Sequence, residues 1–155
     1  MSRILGYSTL IAFAAGSVAI VASRPDWVSD QNGFLKNFVN HEFLSLLGVI
    51  LAITLASVAN IHFEFNKIEE QQQKIFLVKS RQNLKKNTFW LIGLFCAAVA
   101  LVTVKPIVCG GAVAEGIINL GAVMIVLWHV LILLSLTQLA FVIGPVIKPA
   151  QEPKI

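Results

Sequence analysis

Four long apolar runs dominate the chain and are separated by shorter polar segments. They cover approximately residues 4–22, 43–63, 89–104 and 117–143. A hydrocarbon core of about 30 Å needs roughly 20 apolar residues in helical form, whereas the strands of a membrane barrel are about ten residues long and alternate in polarity. Backbone groups that face lipid must form their hydrogen bonds internally. The pattern therefore predicts an all-α integral membrane protein with four transmembrane helices.

The composition of the chain is that of a membrane protein. Of its 155 residues, 57% are hydrophobic and 13% are charged, and the mean hydropathy is +0.80, whereas soluble domains carry about 25% charged residues. We expect a single membrane domain that comprises residues 1–155. The first run has Arg3 before it and Ser17-Val18-Ala19 within it, as in a signal peptide, but it continues past this site, which favours a retained anchor.

Lysine and arginine residues are distributed unevenly between the two ends of these helices. Six lie between the second and third runs, one near the N-terminus and two in the C-terminal tail, whereas the other connections hold only Arg24, Lys36 and Lys105. The positive-inside rule then predicts that both termini and the 64–88 segment are cytosolic. This topology accounts for the net charge of +4, so the charge does not call for direct nucleic-acid binding.

The 64–88 segment is polar, lacks proline and glycine, and consists mostly of good helix formers. Because the third run begins near Phe89, the chain must return to the membrane. In one arrangement, the second and third helices project about 15 Å and meet in a cytosolic hairpin. In the other, the later half lies on the inner leaflet. We favour the hairpin. Its exposed residues either dock a partner or pack the two helices of the hairpin against each other. The candidate docking residues are Glu69, Glu70, Lys74, Ile75, Phe76, Lys79 and Arg81.

Four polar side chains are candidates for an intramembrane site or a pore lining. They are Ser57 and Asn60 in the second run, and His129 and Gln138 in the fourth. An ionisable residue within a span is a functional candidate. The alternative is a purely structural role, in which these side chains form hydrogen bonds between helices. His129 shares a helical face with the small residue Ala122, which indicates the bundle interior.

Small residues at four-residue spacing mark one face of each of the first two helices. Ala12 and Gly16 lie on the first helix, and Gly48, Ala52 and Ala56 lead to Asn60 on the second. Small side chains let helix backbones approach closely, within one bundle or between copies. We expect the second face to be buried against helices, because its amide would be costly in lipid.

The connections between the runs carry two further signals. Phe34, Leu35, Phe38 and Val39 have the spacing of one helical face, which predicts a short amphipathic helix at the membrane surface. The Lys105-Pro106 pair is expected to end the third span, because a proline disfavours helical geometry in the residue before it.

Catalytic and metal-binding patterns are absent from the sequence. His41-Glu42 and His62-x-Glu64 lie on opposite sides of the predicted membrane, and each pair alone has too few ligands for zinc. The sequence contains no phosphate-binding loop, nucleophile motif or paired intramembrane carboxylate. We therefore expect neither an enzyme nor a bound cofactor or metal.

The second run and the helices after it form a pattern of their own: Leu44-Ser45-x-x-Gly48, Ala52-Ile53 and Ala56, then a basic helix, a third span and a histidine-bearing fourth span. This layout resembles the small four-helix membrane proteins of bacterial phage exclusion and defence, such as the RexB-like proteins and, by layout, the membrane subunit of the Kiwa anti-phage system. The resemblance covers about half of the chain. It implies a homo-oligomer of the inner membrane that senses or alters membrane state and holds a soluble partner in the cytosol. Glu69-Glu70 departs from the more basic segment of RexB-like proteins, so a channel function does not transfer directly.

Two functions fit these patterns. The first is an oligomeric inner-membrane scaffold or sensor subunit, in an anti-phage defence system, that docks a cytosolic effector through residues 64–88. The second is an ion-conducting or holin-like pore lined by Asn60, His129 and Gln138.

Overall fold

The computed structural model describes residues 3–72, 78–108 and 110–143. In these ranges the chain forms five α-helices and one turn of 3₁₀ helix, so the predicted all-α class is confirmed. The helices are α1 Arg3–Ser23, α2 Gly33–Phe38, α3 His41–Gln72, α4 Val78–Val108 and α5 Ala112–Ile143, and the 3₁₀ turn is Pro25–Trp27.

Three of these helices are long and apolar enough to cross a membrane. The qualifying stretches are His41–Lys67 in α3, Val78–Val108 in α4 and Ala112–Phe141 in α5. Helix α1 contains a shorter apolar stretch, Ser8–Ser23. The protein is therefore a multi-pass membrane protein with three candidate spans among its described residues, while a fourth crossing by α1 stays a prediction.

The lengths of α3 and α4 exceed the thickness of a bilayer. With 32 and 31 residues, they extend about 48 and 46 Å at 1.5 Å per residue, against a hydrocarbon core of about 30 Å. The excess lies at their polar ends, which we call the extension (residues 64–72 and 78–88). The end of the bundle that carries it is the extension end. The opposite end, with residues 24–40 and the connection between α4 and α5, is the loop end.

The helices pack in the order α3, α4, α5 and α1, and α3 also touches α5. Buried positions on α4 and α5 recur at seven-residue spacing, which keeps one face of a helix against its neighbour over many turns. These series are Leu84, Leu91, Ala98 and Lys105 on α4, and Ala122, His129 and Leu136 on α5.

The short helix α2 confirms the predicted helix in this segment, while its position on the outer membrane surface stays a prediction. Asn32 caps it, because its Oδ1 accepts hydrogen bonds from the backbone N–H groups of Phe34 and Leu35 at 3.1 and 3.3 Å. Leu35 and Val39 are buried, whereas Phe34 is 72% exposed. The apolar residues of this segment therefore divide into two groups: Leu35 and Val39 pack against the bundle, whereas Phe34 points outward.

Two predicted helix boundaries were wrong. Helix α4 continues through Lys105-Pro106 to Val108. Because Pro106 lies in the last turn, its missing N–H and the contact of its ring with the preceding turn disturb only the end of the helix. Helix α5 begins at Ala112, before the predicted start at residue 117. Both changes bring polar residues into the bundle that had been assigned to a loop.

The small-residue face of α3 is not covered by other helices of the described chain. Ala52, Ala56 and Asn60 are exposed, although we expected this face to be buried, and only Gly48 at its start is half-buried, next to Phe95 of α4. The larger Phe43 and Leu47, on the other side of α3, are fully buried in the core. Large side chains make more van der Waals contacts with neighbouring helices, and such packing helps to drive helix association in membranes.

Candidate functional site

A buried ion pair lies at the loop end, where α4 and α5 meet the 24–40 segment. Lys105 Nζ is 2.9 Å from Asp30 Oδ1, and the two side chains are 9% and 18% exposed. Lys105 Nζ also donates to Asn119 Oδ1 at 3.0 Å and to the backbone carbonyl of Val39 at 3.4 Å. The ammonium group thus has at least one acceptor within the chain for each of its N–H bonds.

Asn119 connects this ion pair to the backbone of the 24–40 segment. The residue is fully buried, and its Nδ2 donates to the carbonyl of Val28 at 2.9 Å and to Asp30 Oδ1 at 3.1 Å. One turn earlier on α5, Glu115 Oε2 accepts from the backbone N–H of Asp30 at 3.0 Å. We call Asp30, Lys105, Glu115 and Asn119 the loop-end network.

The loop-end network lowers the pKa of Asp30 below its usual value. Burial by itself favours the neutral carboxyl group, but the hydrogen bonds from Lys105 and Asn119, together with the positive charges of Lys105 and Lys36, outweigh it. Asp30 therefore stays ionised at neutral pH, and the ion pair persists.

Gly116 allows α5 to approach the 24–40 segment closely. A Cβ atom at this position would lie 2.9 Å from Cγ2 of Val28, 3.6 Å from Cγ2 of Val21 and 3.8 Å from the carbonyl oxygen of Pro25. The first of these distances is too short for two carbon atoms. A side chain here would therefore push the segment away from α5, close to the carbonyl group that Asn119 binds.

The loop-end network is built to hold structure together. Its ammonium and amide groups are engaged within the chain, as the preceding distances show. Among the described residues, no group of three or more His, Cys, Asp or Glu side chains is placed to hold a metal ion. The network therefore fixes the 24–40 segment onto α4 and α5.

Sequence reasoning missed this network because it assigned Lys105 to a loop. One signal was present, since Lys105 continues the buried seven-residue series of Leu84, Leu91 and Ala98. A residue at the next position of such a series is expected to point into the bundle. Its partner Asp30 lies far away in the chain, so their pairing depends on the tertiary structure.

The four predicted intramembrane polar residues do not come together within the chain. His129 is 1% exposed, whereas Ser57 and Asn60 on α3 and Gln138 on α5 are exposed. Ser57 Oγ donates to the carbonyl of Ile53 in its own helix at 2.9 Å. His129 is therefore enclosed within the bundle, whereas the other three side chains face outward from it.

His129 is buried on α5. Its Nδ1 lies 2.9 Å from the carbonyl oxygen of Ile125, which assigns the proton to Nδ1 and leaves Nε2 as an acceptor. Nε2 is buried and has no hydrogen-bond partner among the described residues. The adjacent Trp128 stacks on Trp90 of α4, with ring centroids 5.2 Å apart.

Arg81 joins the two helices of the extension. Its Nη2 donates to Asn66 Oδ1 at 2.7 Å and to Glu69 Oε2 at 2.8 Å, and both acceptors lie on α3. Its guanidinium carbon is 6.0 Å from the ring centroid of Phe65, which is fully buried. Within the described residues of the extension, α3 and α4 therefore pack against each other as they would in a hairpin.

The predicted docking residues divide into two groups where the structure describes them. Glu69 and Arg81 bind each other and hold the extension together, whereas Lys79 is exposed. The others, which lie outside the described residues, are Lys74, Ile75, Phe76 and the side chain of Glu70.

The two ends of the bundle thus differ in their polar chemistry. At the loop end, Lys105 is buried and paired. At the extension end, Lys79, Lys85 and Lys86 are exposed.

Comparison of the chain with protein-family models, with curated proteins and with solved structures finds no match.

Proposed function

We propose that the protein is an oligomeric inner-membrane scaffold or sensor subunit that docks a soluble partner through the extension. In this proposal the chain crosses the membrane four times with both termini in the cytosol, which places the extension there. The observation that carries the proposal is that α3 and α4 run unbroken from apolar spans into a polar pair joined by Arg81.

The extension has the properties of a docking element. After Phe63, α3 continues through Gln72, about 14 Å at the usual helical rise, so it reaches beyond the headgroups next to it. Its two helices are tied together, and Lys79, Lys85 and Lys86 are exposed on α4. A partner with an acidic surface is complementary to this cationic face.

The exposed small-residue face of α3 supports self-association. Ala52 and Ala56 let another helix approach closely, and an exposed amide such as Asn60 favours a protein neighbour over lipid. Helix α3 also lies at one end of the packing order, so this face is accessible to a second copy.

The topology is tested by labelling cysteine variants with a membrane-impermeant maleimide, after both native cysteines are replaced by alanine. We expect Lys79→Cys to be labelled only in permeabilised cells and Gln31→Cys to be labelled in intact cells. The proposal fails if Lys79→Cys reacts in intact cells.

Self-association is tested by oxidative cross-linking in native membranes. In the same background, Ala56→Cys on the small-residue face should form a disulfide-linked dimer, because a close contact brings the two Cβ atoms within bonding range. Val130→Cys is the control, since it lies in α5 and is 44% exposed. Equal cross-linking of the two variants would reject this interface.

Docking is tested by photo-cross-linking from position 79 in cells, with and without charge reversal of neighbouring lysines. The double variant Lys85→Glu and Lys86→Glu should abolish a cross-linked product of defined mass, whereas Lys36→Glu at the loop end should leave it unchanged. The anti-phage role, which rests on the resemblance alone, is tested separately by measuring phage plating on cells with and without the gene.

The second candidate function is an ion-conducting pore, and the unpartnered Nε2 of His129 is the observation that favours it. A pore predicts proton or ion flux in vesicles that His129→Ala abolishes. The scaffold proposal predicts no flux at any pH, because His129 is enclosed within the chain while Asn60 and Gln138 are exposed outside it.

A further inference from the structure

A groove lies between α3 and α4 at the base of the extension. Its volume is about 480 Å³, within the range of roughly 300–1,000 Å³ that is usual for small-molecule sites. On α3 it runs from Leu55 to His62, and on α4 from Arg81 to Phe89. These are the positions at which both helices change from apolar to polar, so the groove lies at the level of the lipid headgroups.

The lining of the groove changes in chemistry along its length. One part is apolar, with Leu55, Val58 and Ala59 on α3 and Phe89 on α4. The part nearer the extension carries His62, Arg81 and Lys85, and no Asp or Glu side chain is among the lining residues that the structure describes. An amphiphile with an anionic head and a hydrocarbon tail matches both parts.

Two of the cationic side chains have N–H groups that are not engaged in the ion pairs or hydrogen bonds of the described residues. Lys85 Nζ lies 6.0 Å from the ring centroid of Phe89, and none of the ion pairs among the described residues includes it. Arg81 Nη2 is bonded to α3, but its Nε is buried and has no hydrogen-bond partner in the part of the chain that the structure describes. The Arg81 side chain as a whole is 27% exposed, so part of its guanidinium group stays accessible from the groove that it lines.

We propose that this groove binds one anionic phospholipid, with its phosphate between Lys85, Arg81 and His62 and an acyl chain along Leu55, Ala59 and Phe89. Basic pockets between transmembrane helices on the cytoplasmic side are suited to anionic headgroups. Bound there, the lipid would bridge α3 and α4 at the point where the extension leaves the membrane.

The test is native mass spectrometry of the purified full chain with equimolar phosphatidylglycerol and phosphatidylcholine. We expect the wild type to retain one phosphatidylglycerol molecule in preference to phosphatidylcholine. Lys85→Gln should lower this retention about fivefold, as expected for one lysine near an anionic headgroup. Lys86→Gln is the matched control, because Lys86 is exposed but does not line the groove, and should change retention by less than twofold.

A second variant tests the acyl-chain part without changing charge. Ala59→Phe fills the apolar half of the groove and should abolish the retained lipid, while the circular dichroism spectrum and gel-filtration volume stay unchanged. Inorganic phosphate at millimolar concentration should not displace the lipid.

The proposal is overturned by any of four results. These are equal retention of the two lipids, equal loss in Lys85→Gln and Lys86→Gln, full retention in a folded Ala59→Phe variant, or complete displacement by inorganic phosphate, which would mark a simple anion site.

Discussion

Replacing Lys105 with methionine removes one ammonium group from the loop end and keeps an unbranched side chain of similar length on α4. In the native chain, Lys105 Nζ contacts Asp30 Oδ1 at 2.9 Å and Asn119 Oδ1 at 3.0 Å. Methionine can bind neither oxygen atom, so the Asp30 carboxylate loses its counter-ion while it is still largely buried.

The expected cost follows from the geometry of Asp30. Removing one partner of a buried ion pair costs about 3–5 kcal/mol. Here the Asp30 side chain is 18% exposed and keeps its hydrogen bond from Asn119, so water and the amide compensate part of the loss. We therefore expect Lys105→Met to lower the free energy of unfolding by about 2–3 kcal/mol.

The assay is equilibrium unfolding in mixed micelles, followed by tryptophan fluorescence, for a double-mutant cycle. The pair Lys105→Met and Asp30→Asn should cost less than the sum of the single variants, by at least ~1 kcal/mol, because the two side chains interact directly. Lys36→Met, an exposed lysine on α2, should change stability by less than about 0.5 kcal/mol. A near-neutral Lys105→Met, or strictly additive variants, would refute the reasoning.

Three further predictions follow from the same structure. Because the pKa of Asp30 is lowered in the folded chain, stability should fall as the pH drops from about 5 through that pKa, and thermal melts should show a weaker acid dependence in Asp30→Asn. Gly116→Val should cost about 2 kcal/mol through its clash with Val28, and thermal melts should show partial rescue when Val28→Ala is added. Arg81→Gln should cost at most ~1 kcal/mol, because Glu69 is 39% exposed, yet should speed hydrogen exchange of the extension, unlike Lys79→Gln.

The helices were predictable because membrane burial leaves a strong pattern in the sequence. The spans of α3, α4 and α5 follow from apolar runs, and α2 follows from the spacing of Phe34, Leu35 and Phe38. The extension of α3 and α4 as paired helices was likewise preferred from helix propensity and the need to return to the membrane. These features depend on local composition, which a single sequence displays directly.

The loop-end network was not predictable in the same way. A lysine at the end of an apolar run is equally compatible with a solvated loop and with a buried site, and only its partner decides between them. That partner, Asp30, is brought to Lys105 by the packing of the 24–40 segment over Gly116. The exposure of Ala56 and Asn60 is a similar case, because burial in a bundle and contact with another copy require the same small residues.

The distribution of paired and unpaired charges separates what stabilises this chain from what is accessible to a ligand. At the loop end, Lys105 has its acceptors within the chain, so a ligand that binds this ammonium group must first break existing bonds at a cost of several kcal/mol. At the extension end, Lys85 and Lys79 are outside the described ion pairs, so binding a complementary anion requires no such loss. Partner and lipid binding are therefore expected at the extension end, and loop-end variants such as Lys105→Met should change stability without changing either one.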